Sequence, residues 1–174
     1  VETFAAAQVT DLVIDMRYNG GGYLAIANAL ASMVAGDAAS GQTFSELEFN
    51  DKYPNVNPIT GATLEPRLFY QSAPWAGTTL PKLNLERVFV LSGGGTCSAS
   101  ETVINGLRGI GTEVILIGDT TCGKPYGFYA MDNCGVSYFT VQFRGVNALG
   151  FGDYTDGFSP ANINPVLAGT VIPG

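Results

Sequence analysis

The stretch VFVLSGGGTCSASETVINGLRG, residues 88–109, changes character twice. VFVLS is a short apolar run of the kind that forms a buried strand. GGGT is a glycine-rich bend, and SASETVINGLRG opens with Ser-x-x-Glu, the start signal of a helix. The same order occurs earlier. DLVIDMR, residues 11–17, is apolar at Leu12, Val13, Ile14 and Met16. NGGGYLAIANALASMVAG, residues 19–36, follows as a glycine turn and an amphipathic helix closed by Gly36. A third strand, VILIG, occupies residues 114–118. Strands alternating with helices predict an α/β domain with a largely parallel sheet.

Other stretches keep different rhythms. VSYFTVQF, residues 136–143, has period two and predicts a strand of a C-terminal β-ribbon. Residues 50–81 hold five of the nine prolines and read as a long surface excursion. The closing SPANINPVLAGTVIPG reads as irregular chain lying on the surface.

Composition narrows the function classes. The 174 residues are 46% hydrophobic and 13% charged, which predicts one domain, residues 1–174, with a substantial core and no long disordered tract. A net charge of −7 argues against a nucleic-acid partner. No apolar run approaches the roughly 18 residues of a membrane span. The opening VETFAAAQVTDLVIDMRY has no initiating methionine and enters a strand at once, so the chain is expected to be a piece of a longer protein, incomplete at its N-terminus.

Three cysteines and no histidine do not make an ordinary four-ligand zinc site. Cys122 and Cys134 are near enough in sequence to pair if the chain between them folds back. Such a bond would suit an oxidising compartment and would brace the loop before the β-ribbon. Three buried thiols are the other possibility.

Ser98 has two readings. As a helix cap, it exchanges hydrogen bonds with Glu101 across the first turn. As a nucleophile, it stands at a strand-to-helix bend, at the carboxyl end of the sheet where open α/β folds place their sites. The N–H of Ala99 then points from the helix N-terminus toward a developing oxyanion. A serine nucleophile needs a base, and without histidine a neutral lysine is the standard substitute. Lys124, in GDTTCGKPYG just past the third strand, falls at the same end of the sheet. Residues 118–124 also spell G-x-x-x-x-G-K, the phosphate-loop pattern. Pro125 stands where the magnesium-binding hydroxyl belongs, however, and the following PYGFYAMDNCG cannot form the required helix. The first bend offers a second oxyanion donor, the N–H of Gly21 or Gly22, while Asp15 and Arg17 are expected to hold that turn in shape.

Taken together, DMRYNGGGYL from Asp15, VFVLSGGGTCSASE from Val88 and VILIGDTTCGKPYG from Val114 resemble the S41 serine peptidases, the C-terminal processing or tail-specific proteases. The resemblance runs from about Leu12 to Gly127. It implies a layered fold of the ClpP/crotonase type, with a Ser-Lys dyad of Ser98 as nucleophile and Lys124 as general base. It also implies oxyanion donors at Ala99 and within Gly20–Gly22, Gly22 foremost, and no metal or cofactor. The partner would be a protein or peptide substrate. The resemblance further implies a periplasmic or secreted protein of the bacterial envelope, often a lipoprotein, with any lipid anchor outside this chain. The family's PDZ domain does not occur in this chain. A glutamine often found four residues after the lysine is replaced by Phe128. That replacement favours the alternative of a non-catalytic peptide- or ligand-binding protein on the same fold. A different acyl-transfer enzyme is a third reading.

Overall fold

A computed structural model describes residues 1–160 of the chain, and most of the predicted irregular tail lies outside the described residues. In chain order the elements are α1 (Glu2–Ala6), β1 (Val13–Asp15), α2 (Leu24–Ala35), a 3₁₀ turn (Gly36–Ala39), β2 (Thr43–Glu48) and β3 (Arg67–Leu68). Then come β4 (Arg87–Ser92), α3 (Ala99–Gly109), β5 (Glu113–Gly118), β6 (Tyr126–Gly127), β7 (Met131–Asn133), β8 (Val136–Tyr138) and β9 (Phe143–Val146).

The two strand-glycine-helix units and the third strand fold as predicted. β1, β4 and β5 form a parallel sheet in the order β1-β4-β5, with Val13 opposite Phe89 and Val88 opposite Val114. β4 lies in the middle, so Val88 and Val90 lose all contact with solvent. The core adds Ala31, Val34 and Ala35 of α2 and Val103, Ile104 and Leu107 of α3. α2 ends at Gly36, whose φ of 60° and close approach to Asn84 both require glycine.

A second sheet, antiparallel and ordered β3-β2-β9-β6, stands on the other side of α3. Its contact with α3 runs through Phe44 of β2 and Gly106. A Cβ on Gly106 would sit 2.6 Å from the Phe44 ring, so the ring occupies the place of a side chain. The period-two run at residues 136–143 is not one strand. Its first three residues, Val136–Tyr138, form β8 and turn back on β7. Residues 139–142 lie in no strand, and only Phe143 belongs to β9, whose following residues pair with β2. The excursion of residues 50–81 contains β3 and the isolated bridges Val56–Thr63 and Ser72–Thr79. It is tied to α2 by Asn28, whose amide donates to the Leu68 carbonyl at 2.9 Å and accepts from the Tyr70 N–H at 3.0 Å.

The expected Cys122–Cys134 pairing is not formed. Cys97 is bonded to Cys122, with their Cα atoms 5.2 Å apart, and Cys134 is free and exposed. The reason is topological. β4 and β5 are neighbours, and the Cys122 N–H donates to the Thr96 carbonyl at 3.0 Å, which lays the loop after β5 against the bend after β4. Cys134 instead occupies the turn of the β7–β8 hairpin.

Candidate active site

Because β1 and β4 are parallel neighbours, their two glycine bends emerge side by side, and hydrogen bonds stitch them together. The Cys97 N–H and the Ser100 hydroxyl both donate to the Asn19 carbonyl, at 3.1 and 3.0 Å. The Thr96 hydroxyl donates to the Met16 carbonyl at 2.7 Å. The Asn19 side chain turns inward and accepts from the Gly21 N–H at 3.0 Å. Asp15 and Arg17 form an ion pair at 2.7 Å beside this turn, as their predicted shaping role requires. The hydrogen bond from Arg17 holds the Asp15 carboxyl below the usual carboxylate range.

Ser98 caps α3 with φ 57° and ψ −117°, a backbone conformation that L-residues rarely adopt. Gly21 comes close enough that a Cβ there would lie 2.7 Å from the Ser98 Cβ and 3.1 Å from the Ala99 nitrogen. The first bend is therefore pressed onto the residue predicted to be the nucleophile and onto the amide predicted to serve the oxyanion. Gly22, with φ 141°, faces open space and lines the adjoining cavity.

The capping box of Ser98 and Glu101 is present, but Glu101 does more than cap. Its side chain is completely buried among hydrogen-bond donors. One oxygen, Oε2, accepts from the Ser98 N–H at 2.9 Å and from the Lys124 N–H at 2.8 Å. The other, Oε1, accepts from the Gly123 N–H at 2.7 Å and the Thr121 hydroxyl at 2.6 Å. A buried carboxylate is tolerable only when its lone pairs are met in this way. Glu101 thus fastens the bend of Ser98 to the loop of Lys124, and the Cys97–Cys122 disulfide fastens the same two segments covalently. The sulfurs of Cys97 and Cys122 approach the Glu101 carboxylate within 4.8 Å, but as a disulfide they offer no thiolate to a metal.

Ser98, Lys124 and Gly22 line one cavity of about 170 Å³. Its other walls include Leu24, Thr102 and Phe128, together with Ser45, Leu47, Phe143 and Gly145 of the antiparallel sheet. Lys124 is exposed here, and its Nζ lies over the Phe128 ring, 5.3 Å from the centroid. No hydrogen bond joins the Ser98 hydroxyl to the Lys124 amine among the described residues. Tyr154 stacks on Phe158 at 4.6 Å, and its burial pushes the phenol above its ordinary range.

Sequence reasoning singled out Ser98, Ala99, Gly21, Gly22 and Lys124, and the fold brings all five close together. The Gly21 N–H, however, donates to the Asn19 side chain and so is not the open oxyanion donor it was expected to be. Sequence reasoning treated Glu101 as a cap only. It missed Ser45, Leu47, Phe143 and Gly145, for which no local signal exists.

Comparison with known proteins follows the same lines. Over 91% of this chain and 38% of its own length, a protein of Bacteroides fragilis assigned to the S41 proteases superposes with a TM-score of 0.76 at 29% identity. The photosystem II D1 C-terminal processing protease superposes over the same shares of the two chains with a TM-score of 0.61 at 22% identity. A lipoprotein from Streptococcus agalactiae shares the fold at 14% identity, with a TM-score of 0.62 over 94% of this chain and 56% of that one. The chain therefore spans well under two thirds of the length of these structures. No curated protein matches its sequence. The sequence model of peptidase family S41 matches residues 1–128, which contain both bends, Ser98 and Lys124, and by that match the chain belongs to peptidase family S41.

Proposed function

We propose that this chain carries the acyl-transfer centre of a serine endopeptidase, with Ser98 as nucleophile and Lys124 as general base. The observation that supports this most is the shared cavity. It brings a serine in a strained bend at a helix N-terminus together with a lysine held to that bend by Glu101. In the first step the Lys124 amine takes the Ser98 proton as Oγ bonds to the peptide carbonyl carbon. The carbonyl oxygen gains negative charge facing the N–H of Ala99 and that of Gly22, where fixed donors lower the barrier, the Gly21 N–H being engaged by the Asn19 side chain. The Lys124 ammonium then gives its proton to the leaving amine, and the C–N bond breaks to leave an ester on Ser98. Water, deprotonated by Lys124, hydrolyses that ester and restores the hydroxyl. A disulfide beside the nucleophile supports a periplasmic or secreted location, since such bonds persist in oxidising compartments.

The test is peptide hydrolysis by the full-length protein. Ser98→Ala, Lys124→Ala and Lys124→Arg are each expected to abolish turnover, the last because guanidinium keeps its proton. Hydrolysis that persists in Ser98→Ala overturns the assignment. A second reading, a peptide-binding protein without catalysis, draws support from the exposure of Lys124 against Phe128. Saturable peptide binding without cleavage by the wild type would establish it.

A further inference from the structure

Ser45 stands apart among the described residues: its hydroxyl is the one buried side-chain polar atom that meets no hydrogen-bond partner. The residue is 3% exposed and sits in the middle of β2. Alternation along the strand turns Ser45 and Leu47 to the same side, and both line the cavity that contains Ser98. A buried orphan hydroxyl is costly and calls for an explanation. The apolar side chains that line the cavity with it, Leu24, Leu47 and Phe143, supply no partner. A ligand in the cavity would, once the side chain turns about χ1 to bring the hydroxyl, which has almost no accessible surface where it stands, to the cavity wall.

We infer that Ser45 is a specificity residue. On the peptidase reading above, the cavity receives the substrate side chain next to the attacked carbonyl, and the Ser45 hydroxyl bonds to a polar group on it. The lining restricts the chemistry of that side chain. Among the described residues no acidic side chain lines the cavity, so a substrate lysine or arginine finds no counter-charge there. A substrate carboxylate would pair with Lys124 and occupy the amine that is to serve Ser98. An uncharged side chain with an apolar body and one hydroxyl or amide fits best, and threonine, serine and asparagine are the candidates. Gly145 opposite Leu47 keeps the space open, since a Cβ there would meet nothing nearer than the Pro125 carbonyl at 4.0 Å.

The experiment compares threonine with valine, which share a shape and differ by the hydroxyl. Full-length protein is given a mixture of unstructured peptides, and the cut sites are mapped by mass spectrometry. In parallel, full-length Ser98→Ala is titrated calorimetrically with pentapeptides that differ only in a C-terminal threonine or valine. Wild type is expected to favour threonine by roughly tenfold, which corresponds to about 1.4 kcal/mol. Ser45→Ala should bring the ratio near one in both assays while cleavage after valine continues. Gly145→Val should weaken both peptides alike. Cleavage with a threonine-to-valine ratio that Ser45→Ala leaves unchanged overturns the role of Ser45 and spares the peptidase reading. Threonine-selective binding without cleavage does the reverse. Absence of both binding and cleavage overturns the two together.

Discussion

Gly21 and the Ser98 side chain contend for one space. With φ at 112° and a Cβ contact of 2.7 Å waiting, alanine at position 21 must displace the bend that holds the serine. Gly21→Ala is therefore expected to cost about 1–3 kcal/mol of stability. It should also lower kcat of the full-length protein by about a hundredfold, since small displacements at a nucleophile carry such penalties. Gly22→Ala, which meets no atom within 4 Å, should strain the backbone without moving Ser98, and the pair of variants in one denaturation and kinetics series checks the contrast. Glu101 is the other decisive residue. Glu101→Gln keeps the shape but turns an amide NH₂ toward N–H and O–H donors where an oxygen stood. Hydrogen bonds to a charged group are worth more than neutral ones, so a loss on the order of 3 kcal/mol is expected in urea unfolding. A loss below about 1 kcal/mol would show that the clamp is dispensable.

At the scale of elements, the bend after β4 and the loop after β5 behave as one piece because a disulfide and a carboxylate both cross between them. Closing 25 residues of chain by a disulfide is worth about 3.5 kcal/mol through the unfolded state. Dithiothreitol should lower the unfolding free energy by about that amount. Alkylation of denatured, unreduced protein should label Cys134 alone, and labelling of Cys97 would contradict the pairing. The elements differ in how far sequence reveals them. The strand-bend-helix units around Gly21 and Ser98 are local, so apolar runs, glycines and a cap signal expose them. The cysteine pairing is not local. Nearness in sequence favours Cys122 with Cys134, whereas the adjacency of β4 and β5 gives Cys122 to Cys97. β2 is harder still. TFSELE has mixed polarity, and it becomes a strand because β9, about a hundred residues later, pairs with it. The pocket wall of Ser45, Leu47, Phe143 and Gly145 exists only through that pairing, so no reading of neighbouring residues reaches it.

For the whole molecule, alkaline stability is governed in part by Tyr154. Burial raises its pKa above the unperturbed value near 10, so the folded state keeps a proton that the unfolded state releases. Its contribution to stability is complete below about pH 10 and is lost progressively as pH rises beyond it. Unfolding free energies between pH 9 and 11.5 should fall with pH, and Tyr154→Phe should flatten that fall; equal slopes in the two proteins would exclude Tyr154 as the source. The described residues also divide the cleft between two supports. The parallel sheet brings Ser98, Gly22 and Lys124, and the antiparallel sheet brings Ser45, Leu47, Phe143 and Gly145. Phe44 resting on Gly106 is a main contact between the second support and α3. That contact makes Gly106 a spacer gauge. Adding a methyl group there pushes the two walls apart, and trimming the Phe44 ring lets them settle together. Selection for bulkier or slimmer substrates can therefore act on a helix position with no side chain, out of reach of any substrate, and leave every reacting group as it was.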